Sequence, residues 1–214
     1  MKKFFLEIIV FICGAVVMAF EIVGSRMLGP YVGTSTFVWT GIIGVILLCL
    51  SLGYYYGGKI ADKRPDFKIL ALVIFIAGIF IAVSTLIKDG LLISLLEVFD
   101  DVKLVSLLAS FILFSIPSVL LGMVSPYAVR LKIKSLSKSG SAVGNLYAIS
   151  TLGSITGTFL AGFYLIPSYG VIFILNLLAL TLALSALLLY FVYRKTKIDI
   201  SIPKPNPDYE KQYG

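Results

Sequence analysis

Histidine is absent from the 214 residues, cysteine occurs only twice, and only 14% of positions are charged. With no histidine, and with Cys13 and Cys49 inside apolar runs, neither a zinc site nor a disulfide framework is available. Both thiols read as inert core groups, and no cofactor is called for. Charge is scarce because 59% of the residues are hydrophobic, against about 45–50% in an ordinary globular domain. Together with a mean hydropathy of +1.02, this excludes a soluble globular domain, a disordered chain and a nucleic-acid module. Acids are the scarcer sign, 11 against 18 Lys and Arg, for a net charge of +7. In an integral membrane protein that excess fits basic cytoplasmic loops.

Apolar runs are abundant. A helix crossing the hydrocarbon core needs about 20 predominantly apolar residues. Six stretches qualify: Phe4 to Leu28, Thr36 to Lys59, Ile69 to Ile87, Leu104 to Val129, Ala142 to Ile166 and Val171 to Tyr193. The expected fold is therefore an all-α integral membrane bundle of six transmembrane helices over residues 1–193, with a polar, proline-containing tail at 194–214. The connections Gly29 to Ser35, Ile60 to Lys68, Lys88 to Lys103, Arg130 to Ser141 and Pro167 to Gly170 are too short to house a soluble catalytic domain. The longest of them places Leu91, Leu92, Leu95, Leu96 and Phe99 beside Glu97, Asp100 and Asp101. That pattern predicts a short helix lying in the interface or a loop with a solvated acidic end.

The opening Met1-Lys2-Lys3 followed by apolar residues imitates a secretory signal, but the run carries Glu7 and continues to Leu28, so an uncleaved first helix is expected. Positive residues are retained on the cytoplasmic side. Placing the N-terminus there gathers Lys2, Lys3, Lys59, Lys63, Arg64, Lys68, Arg130, Lys132, Lys134, Lys138 and the basic residues from Arg194 onward on one side. Only Arg26, Lys88 and Lys103 are left on the other. The expectation is a multi-pass plasma-membrane protein with both termini cytoplasmic.

An internal echo runs through the chain. Met27-Leu28-Gly29-Pro30-Tyr31-Val32 resembles Met123-Val124-Ser125-Pro126-Tyr127-Ala128, and the same offset pairs Gly57 with Gly153. The two copies end on opposite sides of the membrane, so a 3+3 inverted repeat, as in many transporters, competes with chance as the explanation.

Glu21 lies about seven residues, roughly 10 Å, from the outer end of the first span. A carboxyl at that depth is costly and by default faces the bundle interior or a water-filled cavity, marking an ion, substrate or proton site. The alternative is a structural hydrogen bond or salt bridge between helices. Arg26, five residues on, is rotated well around the helix from Glu21 and snorkels outward. Glu7 reads as a routine interfacial acid one turn from Lys3. Asn145 and Thr151 on the fifth helix join Glu21 and Arg26 as candidates for solute or ion contact, with a structural partner for Asn145 and helix packing for the fifth helix's hydroxyls as the leading alternatives; Gly153 and Gly157 have the spacing that lets helix backbones approach. Pro117 and Pro126 lack amide donors and should kink the fourth helix or end it.

Gly57-Gly58-Lys59-Ile60-Ala61-Asp62-Lys63-Arg64 resembles the loop signature of the major facilitator transporters, departing after Arg64 where Pro65-Asp66 stands. The resemblance implies that Asp62, Lys63 and Arg64 serve as a gate. A wider resemblance spans nearly the whole chain. Glu21-Ile22-Val23-Gly24-Ser25-Arg26-Met27-Leu28-Gly29-Pro30-Tyr31, Leu52-Gly53-Tyr54-Tyr55-Tyr56-Gly57-Gly58-Lys59, Gly122-Met123-Val124-Ser125-Pro126-Tyr127 and Gly144-Asn145-Leu146-Tyr147-Ala148 look like the membrane half of the fused major facilitator and spermidine synthase proteins. That resemblance implies one half of a major facilitator bundle. In the family it is commonly joined to an aminopropyltransferase-like domain, which has no counterpart among these residues, so enzyme activity is not expected.

Two functions follow as expectations. One is a half-size bundle in the lipid bilayer that binds or moves a small, cationic, polyamine-like solute after forming a homodimer or joining a second membrane bundle. The other is a non-transporting anchor for a separate, soluble aminopropyltransferase-like protein, with the tail's Ile202-Pro203-Lys204-Pro205-Asn206-Pro207 run as an extended docking peptide.

Overall fold

The computed structural model describes residues 2–133 and 139–194; Lys134, Lys138 and the tail from 195 onward, including its proline run, lie outside the described residues. The described chain is all helix: α1 (Lys2–Val32), α2 (Thr36–Lys63), α3 (Phe67–Val98), α4 (Val102–Lys132), α5 (Ser139–Phe159), a π-helical turn (Leu160–Leu165), α6 (Ile166–Ser168) and α7 (Val171–Tyr193). Six helical spans are long and apolar enough to cross a membrane, the fifth running from α5 through α6 without a break. The protein is thus a multi-pass membrane bundle.

The helices outrun the hydropathy boundaries. α3 continues unbroken to Val98, so the interfacial helix or loop expected over Lys88 to Lys103 does not exist as a separate element. Nothing in that stretch removes a backbone donor, and Leu92 is fully buried in the core, which holds the helix in register. At about 1.5 Å per residue its 32 residues extend roughly 48 Å, well past a core of about 30 Å. Only a tight turn is left before α4, whose N-terminus is capped by Asp101 accepting from the Lys103 amide at 2.9 Å. Gly33, at φ 78°, makes the turn between α1 and α2.

Four prolines sit within helical spans, Pro30 near the end of α1 among them. Pro117 and Pro126 lie inside α4, which runs through both to Lys132. Pro117 cannot donate to Leu113, and that orphaned carbonyl instead accepts from Ser84 Oγ of α3 at 2.7 Å. Pro167 follows the π turn, where the Ile166 amide reaches back to Ala161. A missing donor is one of the recurring settings in which a helix widens or bends. The Ser84 bond carries a prediction: Ser84→Ala should lower the bundle's stability by about 1–2 kcal/mol, because it leaves a buried carbonyl without a donor. Ser84→Ala combined with Pro117→Ala should recover most of that loss, as measured by denaturant titration in detergent micelles.

Helix neighbours follow an exchange pattern. α2 packs on α4, α5 on α1, and α3 on α7, while α1 also meets α4 at the centre. Swapping the first three spans with the last three leaves this pattern unchanged. Glycines make the two lateral contacts. A Cβ on Gly57 would lie 2.6 Å from Met123 Cα of α4, and one on Gly153 would overlap the Phe11 carbonyl of α1. These are the two glycines related by the offset that relates Met27 to Met123. Gly157 repeats the contact one turn on, against Ala15. Such closeness is how helices associate in lipid, where burial gives no preference for protein over acyl chains.

Contacts at the helix ends fix sidedness. Glu7, Asp62, Phe67, Arg130, Lys132, Asn145 and Tyr193 belong to one end of the bundle, which also carries Lys59, Lys63, Arg64 and Lys68; this is the basic face. Tyr31, Phe37, Lys88, Asp89 and Lys103 belong to the opposite face.

Candidate functional site

Glu21 stands on α1 between the bundle's middle and the opposite face. Its Oε2 is buried and has no hydrogen-bond partner among the described residues. At 100° per residue it falls on the same stripe of α1 as Gly14 and Val17. Those two, with Cys13, line a cavity of about 50 Å³ where α1, α2, α4 and α5 meet. The other walls are Leu50 and Tyr54 from α2, Leu121, Val124 and Ser125 from α4, and Ser150 and Ser154 from α5. Ser154 donates to the Gly14 carbonyl at 3.2 Å, leaving the hydroxyl-bearing Tyr54, Ser125 and Ser150 in the cavity walls. One water occupies about 30 Å³ of liquid, whereas a pocket for an organic ligand runs to about 300 Å³ or more. The cavity is therefore a place for water at mid-membrane and too small for a solute.

The other candidates do not gather around Glu21. Arg26 is exposed and, five residues further along α1, points well away from the carboxyl. Asn145 is at the basic face, where its Nδ2 donates to Glu7 Oε1 at 3.3 Å. Thr151 is exposed and donates to the Tyr147 carbonyl at 2.9 Å, closing its hydroxyl onto its own helix.

Asp62 pairs across helices: Arg130 Nε of α4 lies 3.0 Å from its Oδ1, while the Lys63 and Arg64 side chains enter no ion pair among the described residues. Both members of the Asp62–Arg130 pair are substantially exposed, so the link is worth little energy and opens easily. The turn after α2 is held more firmly by the fully buried Tyr127, whose hydroxyl donates to the Arg64 carbonyl and accepts from the Asp66 amide at 3.3 Å.

Two polar clusters were not legible in the sequence. At the basic face Glu7 accepts from Lys132 Nζ as well as from Asn145, so one carboxylate joins α1, α4 and α5. Its side chain is 12% exposed and that of Lys132 18%, which makes this a largely desolvated pair rather than a routine surface acid. At the opposite face the Tyr31 hydroxyl donates to Asp89 Oδ1 at 2.5 Å, and Asp89 also pairs with Lys88, a lysine only 8% exposed. That cluster joins α1 to α3. No group of His, Cys, Asp or Glu among the described residues is arranged to hold a metal ion.

The chain matches no protein-family model, no curated protein and no solved structure.

Proposed function

We propose that this protein is a half-size transporter-like bundle, akin to the membrane half of the fused major facilitator and spermidine synthase proteins, that binds and moves a small organic cation of the polyamine type. The observation that carries the reading is the buried, unpartnered Glu21 Oε2 within a membrane span. A carboxylate there wants a counter-cation, and an intramembrane acid with no structural partner marks a substrate or ion site. Arg26, the nearest basic residue in sequence, is turned away.

The mid-membrane cavity is too small for such a solute, so the site needs a second wall. The fifth span is the least buried, with 22% of its most apolar stretch inside the bundle. α5 therefore offers its free face, together with α2, to a second copy of the chain. The basic face is the cytoplasmic one by the charge asymmetry, which puts the N-terminus inside.

Equilibrium binding of radiolabelled spermidine to the protein in lipid nanodiscs tests this. Wild type should bind saturably, and Glu21→Gln should raise Kd by about tenfold or more, as expected for losing about 1.4 kcal/mol of charge pairing. Thr151→Ala should bind as wild type. Equal binding by wild type and Glu21→Gln removes the carboxyl from the function.

A further inference from the structure

Glu21 is not the only buried oxygen left without a partner. Ser106 and Ser110, one turn apart on α4, are 1% and 0% exposed, and neither Oγ has a hydrogen-bond partner among the described residues. A helical hydroxyl in an apolar medium ordinarily satisfies itself by donating to the carbonyl one turn back. Thr85, Thr156 and Thr158 all do so here. Ser106 and Ser110 do not, although the acceptors are available within α4. Leaving a buried hydroxyl unpaired costs about 1–3 kcal/mol, and such groups ordinarily meet water.

Their level in the bundle gives the pair a direction. α1 and α4 run antiparallel and touch where a Cβ on Gly24 would lie 2.8 Å from the Phe114 ring. From that contact Ser110 is about 6 Å and Ser106 about 12 Å toward the opposite face, while Glu21 is about 4.5 Å toward the bundle's middle. Ser106 lies against Gly41 of α2, where a Cβ would come 3.7 Å from its Oγ. Beside this route an edge-to-face ring pair, Phe20 with Phe114, at 5.1 Å between centroids, is fully packed: Phe114 at a level between the hydroxyls and Glu21, Phe20 next to Glu21 in the chain. On the basic side of Glu21 lies the water-sized cavity with Ser125 and Ser150 in its walls, and beyond it the helices are tied together. There the Glu7–Lys132–Asn145 cluster clamps α1, α4 and α5, and Asp62–Arg130 ties α2 to α4.

We propose that the outer part of α4, from Ser106 to Phe114, is the hydrated entry path by which water and small cations reach Glu21 from the opposite face. Phe114 and Phe20 form its gate, and the basic face is closed in this arrangement. The proposal rests on reading Glu21 as the group that meets solute, and it adds the side of access and the residues that control it. Hydroxyl oxygens supply lone pairs that replace part of a cation's hydration along the way, and the ring pair seals the path when nothing passes. A T-shaped aromatic contact suits a gate because rotating one ring breaks it at a cost of about 1 kcal/mol.

Cysteine accessibility in membrane vesicles tests the path. Cys13 and Cys49 are first replaced by alanine, and single Ser106→Cys, Ser110→Cys and Glu21→Cys variants are treated with a membrane-impermeant cationic methanethiosulfonate. Because only a thiolate reacts, and a thiolate needs water, reaction reports hydration. Ser106→Cys and Ser110→Cys should react from the side opposite the N-terminus only, and added spermidine should slow the reaction at position 110. Glu21→Cys should react slowly until Phe114→Ala is added, and then at least about tenfold faster as water gains the thiolate.

A Ser110→Cys thiol that reacts only after denaturation, or that reacts from the basic face, overturns the path. Ser110→Cys reactive from the expected side in a protein that binds no amine keeps the path and removes the solute reading. Ser110→Cys silent in a protein whose amine binding depends on Glu21 removes the path alone.

Discussion

Replacing Glu7 with leucine should cost the folded bundle about 3 kcal/mol, because breaking a largely buried ion pair strands the remaining charge. Glu7 accepts from Lys132 and from Asn145, so the substitution removes a polar tie of α1 to both α4 and α5 and leaves the Lys132 ammonium, 18% exposed, facing an apolar side chain. The double variant Glu7→Leu with Lys132→Met should recover most of the loss, since swapping both members of a buried pair for apolar groups is close to neutral. Denaturant titration of the reconstituted protein distinguishes the cases. A single variant as stable as wild type would show that the pair is too well hydrated to matter. At Asp62–Arg130 the expectation is the reverse, because both side chains are substantially exposed and Asp62→Asn should move stability by well under about 1 kcal/mol.

The second large effect is steric. Gly153→Leu must drive a branched side chain into the backbone of α1 at Phe11, where even a Cβ overlaps the carbonyl. Main chain cannot yield as a side-chain tip can, so α1 and α5 must separate. A loss of about 3 kcal/mol is expected, at the upper end of what overpacking usually costs. Gly162→Leu is the control, for the same helical span offers open space there. Its effect should stay within about 0.5 kcal/mol, the range of surface changes away from packing contacts. If both leucines were tolerated equally, the close approach of α1 and α5 would be refuted.

How much of this was legible beforehand depends on the range of the interactions. Hydropathy over about 20 residues marks every span, because the energy of placing a helix in lipid is additive along it. It does not mark where a helix stops once outside the core, which is why α3 runs on to Val98 where a separate segment was expected. Glu21 stood out because a carboxyl at that depth is costly whatever surrounds it. Glu7 did not stand out, since its meaning comes from Lys132 and Asn145, far along the chain and on other helices. For Asn145 a structural partner was the leading expectation and solute contact the other: an amide in a span needs a partner, and sequence does not say that Glu7 supplies it. The unpaired hydroxyls of Ser106 and Ser110 were equally silent. Serine in a helix is ordinary, and only packing reveals that the usual bond to the preceding turn has not formed.

If the bundle moves an amine, Glu21 must meet it within the membrane. Proteoliposomes of defined orientation, loaded with unlabelled spermidine and given labelled spermidine outside, measure that directly. Wild type should exchange label at a rate that saturates with concentration, and Glu21→Gln, reconstituted to the same density, should exchange no faster than protein-free vesicles. Exchange by Glu21→Gln at the wild-type rate would remove the carboxyl from any transport path.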